Sequence, residues 1–342
     1  MDITLSIVMP VFNHPNELKQ MIDSILANSY SDWELLAVDD GSQAETLSVL
    51  REYEILDKRI RLIQRTELPK GAQTCRNIGL REARGKYIIF FDSDDYITPD
   101  CLETRVQSLS ARKDLDFMVF PSGVVENNVF KEKHRFIFGY HFFRDDIEYF
   151  CRRILPFVVW NNIYRTDSLR RNNIIWDVNL LSLQDADFNL TTILKGLKYE
   201  YCSCKPHFGY RINVNSESVS KKILSQEHRQ SNLYALNKFY EIIQGRFGHK
   251  YDEALYGGVV VIYNNIFCTG IDLKYAQEFT KIVKKHSPKY GLLLKLQVLM
   301  TRLLSFILPS KLARQIPMAI CLHDYHSREN KKLVFVSEQI KS

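Results

Sequence analysis

The chain has 342 residues, a formal net charge of +6, and 45% hydrophobic and 25% charged residues. This composition is typical of a folded globular protein and excludes collagen-like, low-complexity and disordered chains. No apolar run approaches the roughly 20 residues of a membrane-spanning helix. Residues 1–4 (MDIT) lack the basic segment that opens a secretory signal, so we expect no signal peptide.

The cysteines predict the compartment. There are seven, an odd number, and Cys202-x-Cys204 lacks the second pair that a zinc site requires. Such a set is typical of reduced, mostly buried thiols. We therefore expect a cytoplasmic protein, with the inner face of the cytoplasmic membrane as a further location argued below.

Strand-like and helix-like patterns alternate over the first 120 residues. The predicted strands are 3–11, 33–38, 60–65, 86–91 and 115–120, and the predicted helices are 17–27, 43–57, 74–83 and 99–112. This alternation indicates right-handed βαβ units and a parallel sheet.

The pattern changes further along the chain. It weakens between 121 and 220, where it predicts short strands near 158–164, 198–202 and 208–211 and a helix over 184–194. Helical patterns alone follow, over 226–244, 250–268, 273–286 and 290–308. We therefore predict an α/β domain with a doubly wound, mostly parallel sheet over residues 1–222 and an α-helical region over residues 223–342.

Acidic residues follow two of the predicted strands. Asp92, Asp94 and Asp95 end the strand that begins at Lys86, and Asp39-Asp40 end the second strand. In a parallel sheet both groups lie at the carboxyl edge, where ligands of open α/β sheets bind. Oxygen ligands of this kind suit Mg²⁺ or Mn²⁺ shared with substrate phosphates. The alternative is a polar turn that caps the next helix.

Five segments carry a family resemblance as a set. They are residues 6–13 (SIVMPVFN), 38–42 (VDDGS), 75–80 (CRNIGL), 85–95, which end in a DxD motif, and 184–188 (QDADF). Together they resemble the inverting nucleotide-sugar glycosyltransferases of family 2. The resemblance covers about residues 3–215 and implies the GT-A fold for the first domain, 1–222.

The resemblance implies a site for a nucleoside-diphosphate sugar. The base pocket would be lined by Pro10, Val11, Phe12 and Asn13. Asp40 would accept a hydrogen bond from the base.

The roles of the neighbouring residues leave alternatives open. Asp39 would either contact the base or only buttress the loop. Arg76 would reach a phosphate or the base, the alternative being a surface salt bridge, and Asn77 would brace the DxD loop.

The DxD motif would hold the metal and the ribose. Asp92 would contact the ribose or a metal-bound water, with Ser93 beside it, and Asp94 would bind Mg²⁺ or Mn²⁺ directly. Asp95 is expected to be structural. Arg211 would contact the diphosphate when its loop closes.

Asp185 is the candidate general base, because inverting transfer needs one carboxylate to take the proton of the acceptor hydroxyl. Gln184 stands where the family has Glu, which removes a charge, and Asp187 is a rival base. The alternative is that residues 184–188 are only a polar helix start. Gln184 and Trp160 are the candidates for the acceptor side, where Trp160 would either stack on a sugar ring or belong to the core.

The resemblance implies transfer of a single sugar, with a UDP-sugar as the expected donor, to a glycan or a polyprenyl-diphosphate-linked sugar in bacterial surface polysaccharide synthesis. A sugar nucleotidyltransferase or a dinucleotide-binding dehydrogenase would need a glycine-rich loop after the first strand, which is missing. A polymerising relative would carry Gln-x-x-Arg-Trp and spanning helices, and the sequence shows neither. A non-catalytic membrane scaffold is the other alternative, and Gln184 is the feature in its favour.

The region 281–314 is basic and amphipathic. No acidic residue occurs between Glu278 and Asp324, whereas eight Lys and Arg residues do. Either its apolar face packs on the catalytic domain, or it contacts an anionic membrane surface. We expect no nucleic acid among the partners.

Overall fold

The computed structural model describes residues 3–132, 138–140, 145–211, 225–267, 273–309, 312–313 and 316. The chain divides into two compact units. The first comprises Met1–His141, Pro156–Val178 and Gln184–Ser216, and the second comprises Phe142–Leu155, Asn179–Leu183 and Glu217–Ser342.

The first unit alternates strands and helices up to residue 119. In chain order these are β1 (Leu5–Val11), α1 (Pro15–Leu26), β2 (Trp33–Asp39), α2 (Ala44–Leu56), β3 (Ile60–Gln64), α3 (Ala72–Glu82), β4 (Tyr87–Phe90), β5 (Tyr96–Ile97), α4 (Cys101–Ala111) and β6 (Phe117–Val119). The predicted strands and helices of this part are confirmed within two residues at most ends. The short β5 was not predicted.

Shorter elements complete the first unit. They are β7 (Gly123–Glu126), β8 (Val129–Lys131), β9 (Asn162–Arg165), α6 (Thr166–Arg171), α7 (Gln184–Leu194), β10 (Tyr199–Tyr201) and β11 (Phe208–Arg211). A segment of the second unit, α5 (Asp146–Cys151), lies between β8 and β9 in the chain.

A seven-stranded sheet forms the centre of the first unit, in the order β10-β6-β9-β4-β1-β2-β3. The strands β4, β1, β2 and β3 are parallel. In this register Val11 pairs with Asp39, and the Phe91 N–H donates to the Val8 carbonyl at 3.0 Å. The loops after β1, β2 and β4 therefore leave the sheet at one edge, as the sequence predicts.

The sheet departs from the simple parallel prediction at β9. This strand lies between β4 and β6 and is antiparallel to both. A second, four-stranded sheet, β5-β11-β7-β8, was not predicted. Antiparallel insertion needs no helical crossover, so the alternation of strand and helix patterns does not indicate it.

Close packing holds α3 and α7 against the sheet. A Cβ at Gly79 of α3 would lie 2.3 Å from Val8 Cγ1 of β1, so glycine permits this approach. On the same face, Phe90, the β4 partner of Val8, contacts the rings of Tyr164, Trp176 and Phe188 edge-on. Trp176 and Phe188 stack with centroids 4.3 Å apart. The aromatic cluster thus anchors α7 against the carboxyl end of β4.

We expect Trp176→Ala to destabilise the first unit by about 3–5 kcal/mol, because it removes the centre of this cluster and leaves a cavity. Trp176 is 1% exposed, whereas its neighbour Ile175 is 56% exposed. Ile175→Ala is the matched control and should stay within about 0.5 kcal/mol of the parent. Urea unfolding followed by tryptophan fluorescence and circular dichroism measures both. Equal stability of the two variants would contradict this assignment of the core.

The second unit is helical. Besides α5 it contains α8 (Gln226–Phe247), α9 (Asp252–Phe267), α10 (Leu273–His286) and α11 (Pro288–Leu304). Ser225 caps α8 by accepting a hydrogen bond from the His228 N–H at 3.3 Å. Helix α11 begins at Pro288, two residues before the prediction, since proline suits the first helical turn. Within the described residues, no helix is both long and apolar enough to cross a bilayer.

Candidate active site

The loops after β1 and β2 are tied together at the carboxyl edge of the sheet. Asn13, between β1 and α1, takes a left-handed conformation with φ of 59°. Its N–H donates to Ser42 Oγ at 3.0 Å, and its side-chain oxygen accepts from the Gln43 N–H at 3.0 Å. Phe12 is 43% exposed, and the Lys70 ammonium lies 3.7 Å from the centre of its ring. Pro10 and Val11 are buried at the end of β1. This edge therefore presents one exposed aromatic ring with a cation over it.

The two acids after β2 hold loops in place. The Asp39 carboxylate accepts from the N–H groups of Gly41 at 3.0 Å and Ser42 at 3.1 Å. Asp40 pairs with Arg65 and accepts from the Gly71 N–H at 3.1 Å. Of the two alternatives for Asp39, the contacts favour the buttress. Arg65 was not predicted as a site residue, although it directly follows β3 and so lies at the same edge.

Arg76 is the centre of a buried network. Its guanidinium donates to Asp92 Oδ1 at 2.5 Å and to Gln184 Oε1 at 3.2 Å. It lies over the Trp176 ring, 4.5 Å from the centroid, and the residue is only 5% exposed. The surface salt bridge considered from the sequence is thus excluded. Arg76 links the DxD loop to the start of α7.

Gln184 keeps a defined place in this network. It accepts from Arg76, and its amide nitrogen donates to Gln73 Oε1 at 3.1 Å. Gln73 in turn donates to the Val178 carbonyl at 3.3 Å. A glutamate here could not donate to Gln73, so the amide suits this particular arrangement. Gln73 was not predicted, and no short-range pattern marks it.

Asp185 lies in the first turn of α7, next to the network. Its Oδ1 is buried and has no hydrogen-bond partner among the described residues. Burial raises the pKa of Asp185 to about 6, while the nearby charge of Arg76 opposes the rise and that of Asp92 adds to it. The rival Asp187 is buried, with 2% exposure, whereas Asp185 as a whole residue is only half-buried. The geometry therefore favours Asp185.

The ionised forms of the acidic side chains after β4 are disfavoured by burial and by mutual repulsion. Burial raises the pKa of Asp94 to about 6, and the charge of Asp92 adds to the rise. Asp95 is 1% exposed, and its pKa is raised well above the ordinary range by burial and by the charges of Asp94 and Asp92. Ser93 is half-buried between Asp92 and Asp94. A cation beside Asp92 and Asp94 would relieve this repulsion.

The residues fit a divalent metal shared with substrate. Mg²⁺ in proteins commonly takes one or two carboxylates and completes its shell with phosphates and water. Asp92 and Asp94 provide two such carboxylates. No group of three His, Cys, Asp or Glu side chains within the described ranges is placed to hold a metal by itself.

Arg211 is used within the protein. Its backbone N–H donates to Asp95 Oδ1 at 3.0 Å and its Nε to the Asp94 carbonyl at 2.7 Å. The two terminal nitrogens donate to Asn128 at 2.8 Å and Gln20 at 2.7 Å. Arg211 therefore fastens β11 to the DxD loop. Each terminal nitrogen keeps a second N–H, so a contact with the diphosphate does not require Arg211 to leave these partners.

Two predicted site residues lie elsewhere. Asn77 does not brace the DxD loop: its side chain donates to the Trp176 carbonyl at 2.9 Å and accepts from the Trp176 N–H at 2.8 Å. Trp160 is 4% exposed and stacks on Phe208 with centroids 4.6 Å apart. This burial favours the core alternative for Trp160. Tyr210, which is 40% exposed and stacks over Trp160 at 5.9 Å, is the exposed ring at this point.

Part of the chain matches a known protein family. Residues 6–172 match the model of Glycosyl transferase family 2. The chain is 25% identical over 250 residues to the uncharacterized glycosyltransferase EpsJ of Bacillus subtilis (strain 168), and the match covers 69% of each chain.

A second relative is more similar over a shorter stretch. The Escherichia coli UDP-Glc:alpha-D-GlcNAc-diphosphoundecaprenol beta-1,3-glucosyltransferase WfgD is 35% identical over 127 residues. This match covers 37% of the present chain and about half, 49%, of the relative.

The fold resembles a solved glycosyltransferase structure. S. aureus TarS 1-349, in complex with UDP-GlcNAc, superposes with a TM-score of 0.67 at 17% identity, covering 95% of this chain and 92% of that one. The family match covers the central sheet except β10, together with its acidic edge, and the shared architecture extends over most of the chain. Residues 6–172 therefore form a family 2 glycosyltransferase domain with the GT-A fold.

Proposed function

We propose that this enzyme transfers one sugar, with inversion, from a UDP-sugar to a hydroxyl of a glycan or lipid-linked acceptor in bacterial surface polysaccharide synthesis. The observation that carries the proposal is Asp185. It combines a buried, unpartnered carboxylate oxygen and a pKa near 6 with a place beside the Arg76–Asp92 pair. A carboxylate with these properties suits proton abstraction near neutral pH.

The proposed reaction forms one bond and breaks another. Asp185 takes the proton as the acceptor oxygen forms a bond to the anomeric carbon. The bond between that carbon and the diphosphate oxygen breaks on the opposite face, and the electron pair leaves with the diphosphate. Arg76 donates one hydrogen bond to Asp92 and one to Gln184 at the start of α7. These two bonds would hold the donor, at the DxD loop, in a fixed position relative to the base, Asp185.

Mg²⁺ or Mn²⁺, bound by Asp94 and Asp92, would neutralise the charge that develops on the leaving diphosphate. The raised pKa of Asp94 supports this assignment, because burial beside a second acid is most easily compensated by a cation. Asp95 and Arg211 would keep the loop in shape through their mutual hydrogen bond.

The uridine donor is supported by two relatives, since TarS was solved with UDP-GlcNAc and WfgD is named for UDP-Glc. The exposed Phe12 ring and the neighbouring loop give a base a surface to stack on. Release of nucleoside diphosphate from a panel of UDP-, GDP- and dTDP-sugars tests the proposal. We expect release from a UDP-sugar, and a strict preference for GDP- or dTDP-sugars would contradict the donor assignment.

The acceptor is proposed to be a sugar on a polyprenyl diphosphate, which places the enzyme at the inner face of the cytoplasmic membrane. WfgD is named for such an acceptor. The non-catalytic scaffold is not favoured, because Gln184 keeps two hydrogen bonds in the network and leaves Asp185 beside it.

The pH profile gives a direct prediction. Asp185 acts as a base only when it is unprotonated, and burial raises its pKa to about 6. We therefore expect kcat/KM to be level above pH 7 and to fall by about tenfold per unit below pH 6. Initial rates at saturating metal measure this profile. If the same acidic limb persists in the residual activity of Asp185→Asn, another group is responsible.

A further inference from the structure

Helix α11 is packed with its polar side inward. Its buried residues are Gly291, Leu294, Gln297 and Thr301. A Cβ at Gly291 would lie 2.4 Å from the Lys284 Cα, so this stripe rests directly on α10. Gln297 is 1% exposed, and its side-chain amide has no hydrogen-bond partner within the described part of the chain. A helix stabilised only by packing within its own unit would bury its leucines instead.

The leucines lie on the opposite, exposed side. We call this the α11 apolar face, and its members are Leu292, Leu293, Leu296, Leu299, Met300 and Leu303, continued by Phe306 and Ile307. Their exposed fractions run from 36% for Leu293 to 79% for Phe306 and Ile307. Ten of the 18 large hydrophobic side chains that are exposed in the described residues fall between 292 and 316. An exposed patch of this concentration marks a contact with a partner or a membrane.

Cations border the α11 apolar face. At about 100° per residue, Lys295 and Arg302 lie along one side of it. Both are exposed, as are Lys281, Lys284 and Lys289, and none of the five forms an ion pair among the described residues. Lys285 differs, since its ammonium lies 3.4 Å from Glu241. No acid occurs from 279 to 323. Lys311 and Arg314, the remaining basic residues of the predicted region 281–314, lie outside the described residues.

We propose that the α11 apolar face docks in the plane of an anionic lipid surface. The leucines would enter the boundary of the acyl chains while the lysines pair with lipid phosphates. A second copy of the chain is a poorer fit, because a two-fold contact through this face would oppose two sets of cations with no acid between 279 and 323 to pair them. Among the described residues, the members of the α11 apolar face are exposed rather than buried.

This inference rests on the proposed function in one respect only: lipid binding would keep the enzyme next to a lipid-linked acceptor. Vesicle binding requires neither donor nor transfer. Failure to bind lipid would leave sugar transfer untouched, and failure of transfer would leave lipid binding untouched.

The test is co-sedimentation of the full chain with vesicles. One set contains about one third phosphatidylglycerol in phosphatidylcholine, the other phosphatidylcholine alone. We expect binding to the anionic vesicles at low salt, several-fold weaker binding at high salt, and little binding to the neutral set. Comparable binding to both sets, or none to either, would overturn the proposal.

Variants separate the two contributions. Leu296→Asp/Leu303→Asp should abolish binding, whereas Ile55→Asp/Leu56→Asp on α2, at 85% and 70% exposure, should not. Lys295→Glu/Arg302→Glu should weaken binding by at least about 25-fold, since each lost cation accounts for about 1 kcal/mol. Lys58→Glu/Lys113→Glu is its charge-matched control and should weaken binding far less.

Light scattering after size exclusion decides the remaining alternative. The wild type should elute as a monomer without lipid. A dimer that Leu296→Asp/Leu303→Asp dissolves would show that the face joins two copies, and would overturn the lipid assignment. Circular dichroism checks whether each variant is folded. If one variant is not, the binding of the wild type to the two vesicle sets still tests the proposal.

Discussion

Asp185→Asn is expected to lower kcat by about a hundredfold or more while donor affinity stays within a few-fold of the wild type. The amide keeps the size and one hydrogen-bonding oxygen of the carboxylate but cannot take a proton. Because Asp185 lies beside the Arg76–Asp92 pair without bonding to it, the substitution should leave the network intact. Single-turnover release of UDP, with calorimetric titration of UDP in parallel, measures both quantities.

Asp187→Asn is the matched comparison, since it makes the same change two residues away on the same helix. Asp187 is 2% exposed, so its substitution should alter stability more than the chemical step. If Asp187→Asn removes turnover with normal UDP binding and Asp185→Asn does not, the base has been assigned to the wrong carboxylate.

Asp94→Ala should produce the second large effect, a loss of at least about a hundredfold in turnover together with loss of the metal dependence of UDP binding. Removal of this acid also removes repulsion, because burial and Asp92 raise the pKa of Asp94 to about 6. We therefore expect the variant without metal to be as stable as the parent or more so at pH 7. A pure folding defect would give the opposite sign, and thermal unfolding distinguishes the two.

Asp114→Ala serves as the control for Asp94→Ala. Asp114 is an exposed acid paired with Arg112 at 3.0 Å, and its removal should change neither metal dependence nor turnover. EDTA should reduce wild-type activity to the level of Asp94→Ala. Full activity in EDTA would exclude the metal-dependent mechanism.

The parallel core of the fold could be predicted because its signals are local. Each of β1, β2 and β4 is a short apolar run ended by polar residues, and the helices between them show regular spacing. The shared edge of Asp39 and Asp92 then follows from parallel topology alone.

The second sheet was missed although one signal was present. Residues 126–129 read Glu-Asn-Asn-Val, and Asn127 and Asn128 both take positive φ, at 52° and 59°. Two asparagines between strand-like residues favour a two-residue hairpin turn, which joins β7 to β8. The position of β9 could not be predicted, since strand order depends on contacts distant in sequence.

The side-chain partners were predicted least well. Asp40 with Arg65 and Gln184 with Gln73 join residues 25 and 111 positions apart. Nothing in a local pattern specifies such pairs. Trp160 shows the same limit, because an aromatic residue suits a sugar platform and a core equally well until its neighbours are known.

The configuration of the product tests the central claim most directly. If the acceptor oxygen attacks the anomeric carbon in one step with Asp185 as the base, an α-linked UDP-sugar must give a β-glycoside. Proton NMR of the purified product, formed from a UDP-sugar that supports turnover, reports this configuration from the anomeric coupling. We expect a β-linked product from wild-type enzyme and almost none from Asp185→Asn. An α-linked product would contradict single displacement and the role proposed for Asp185.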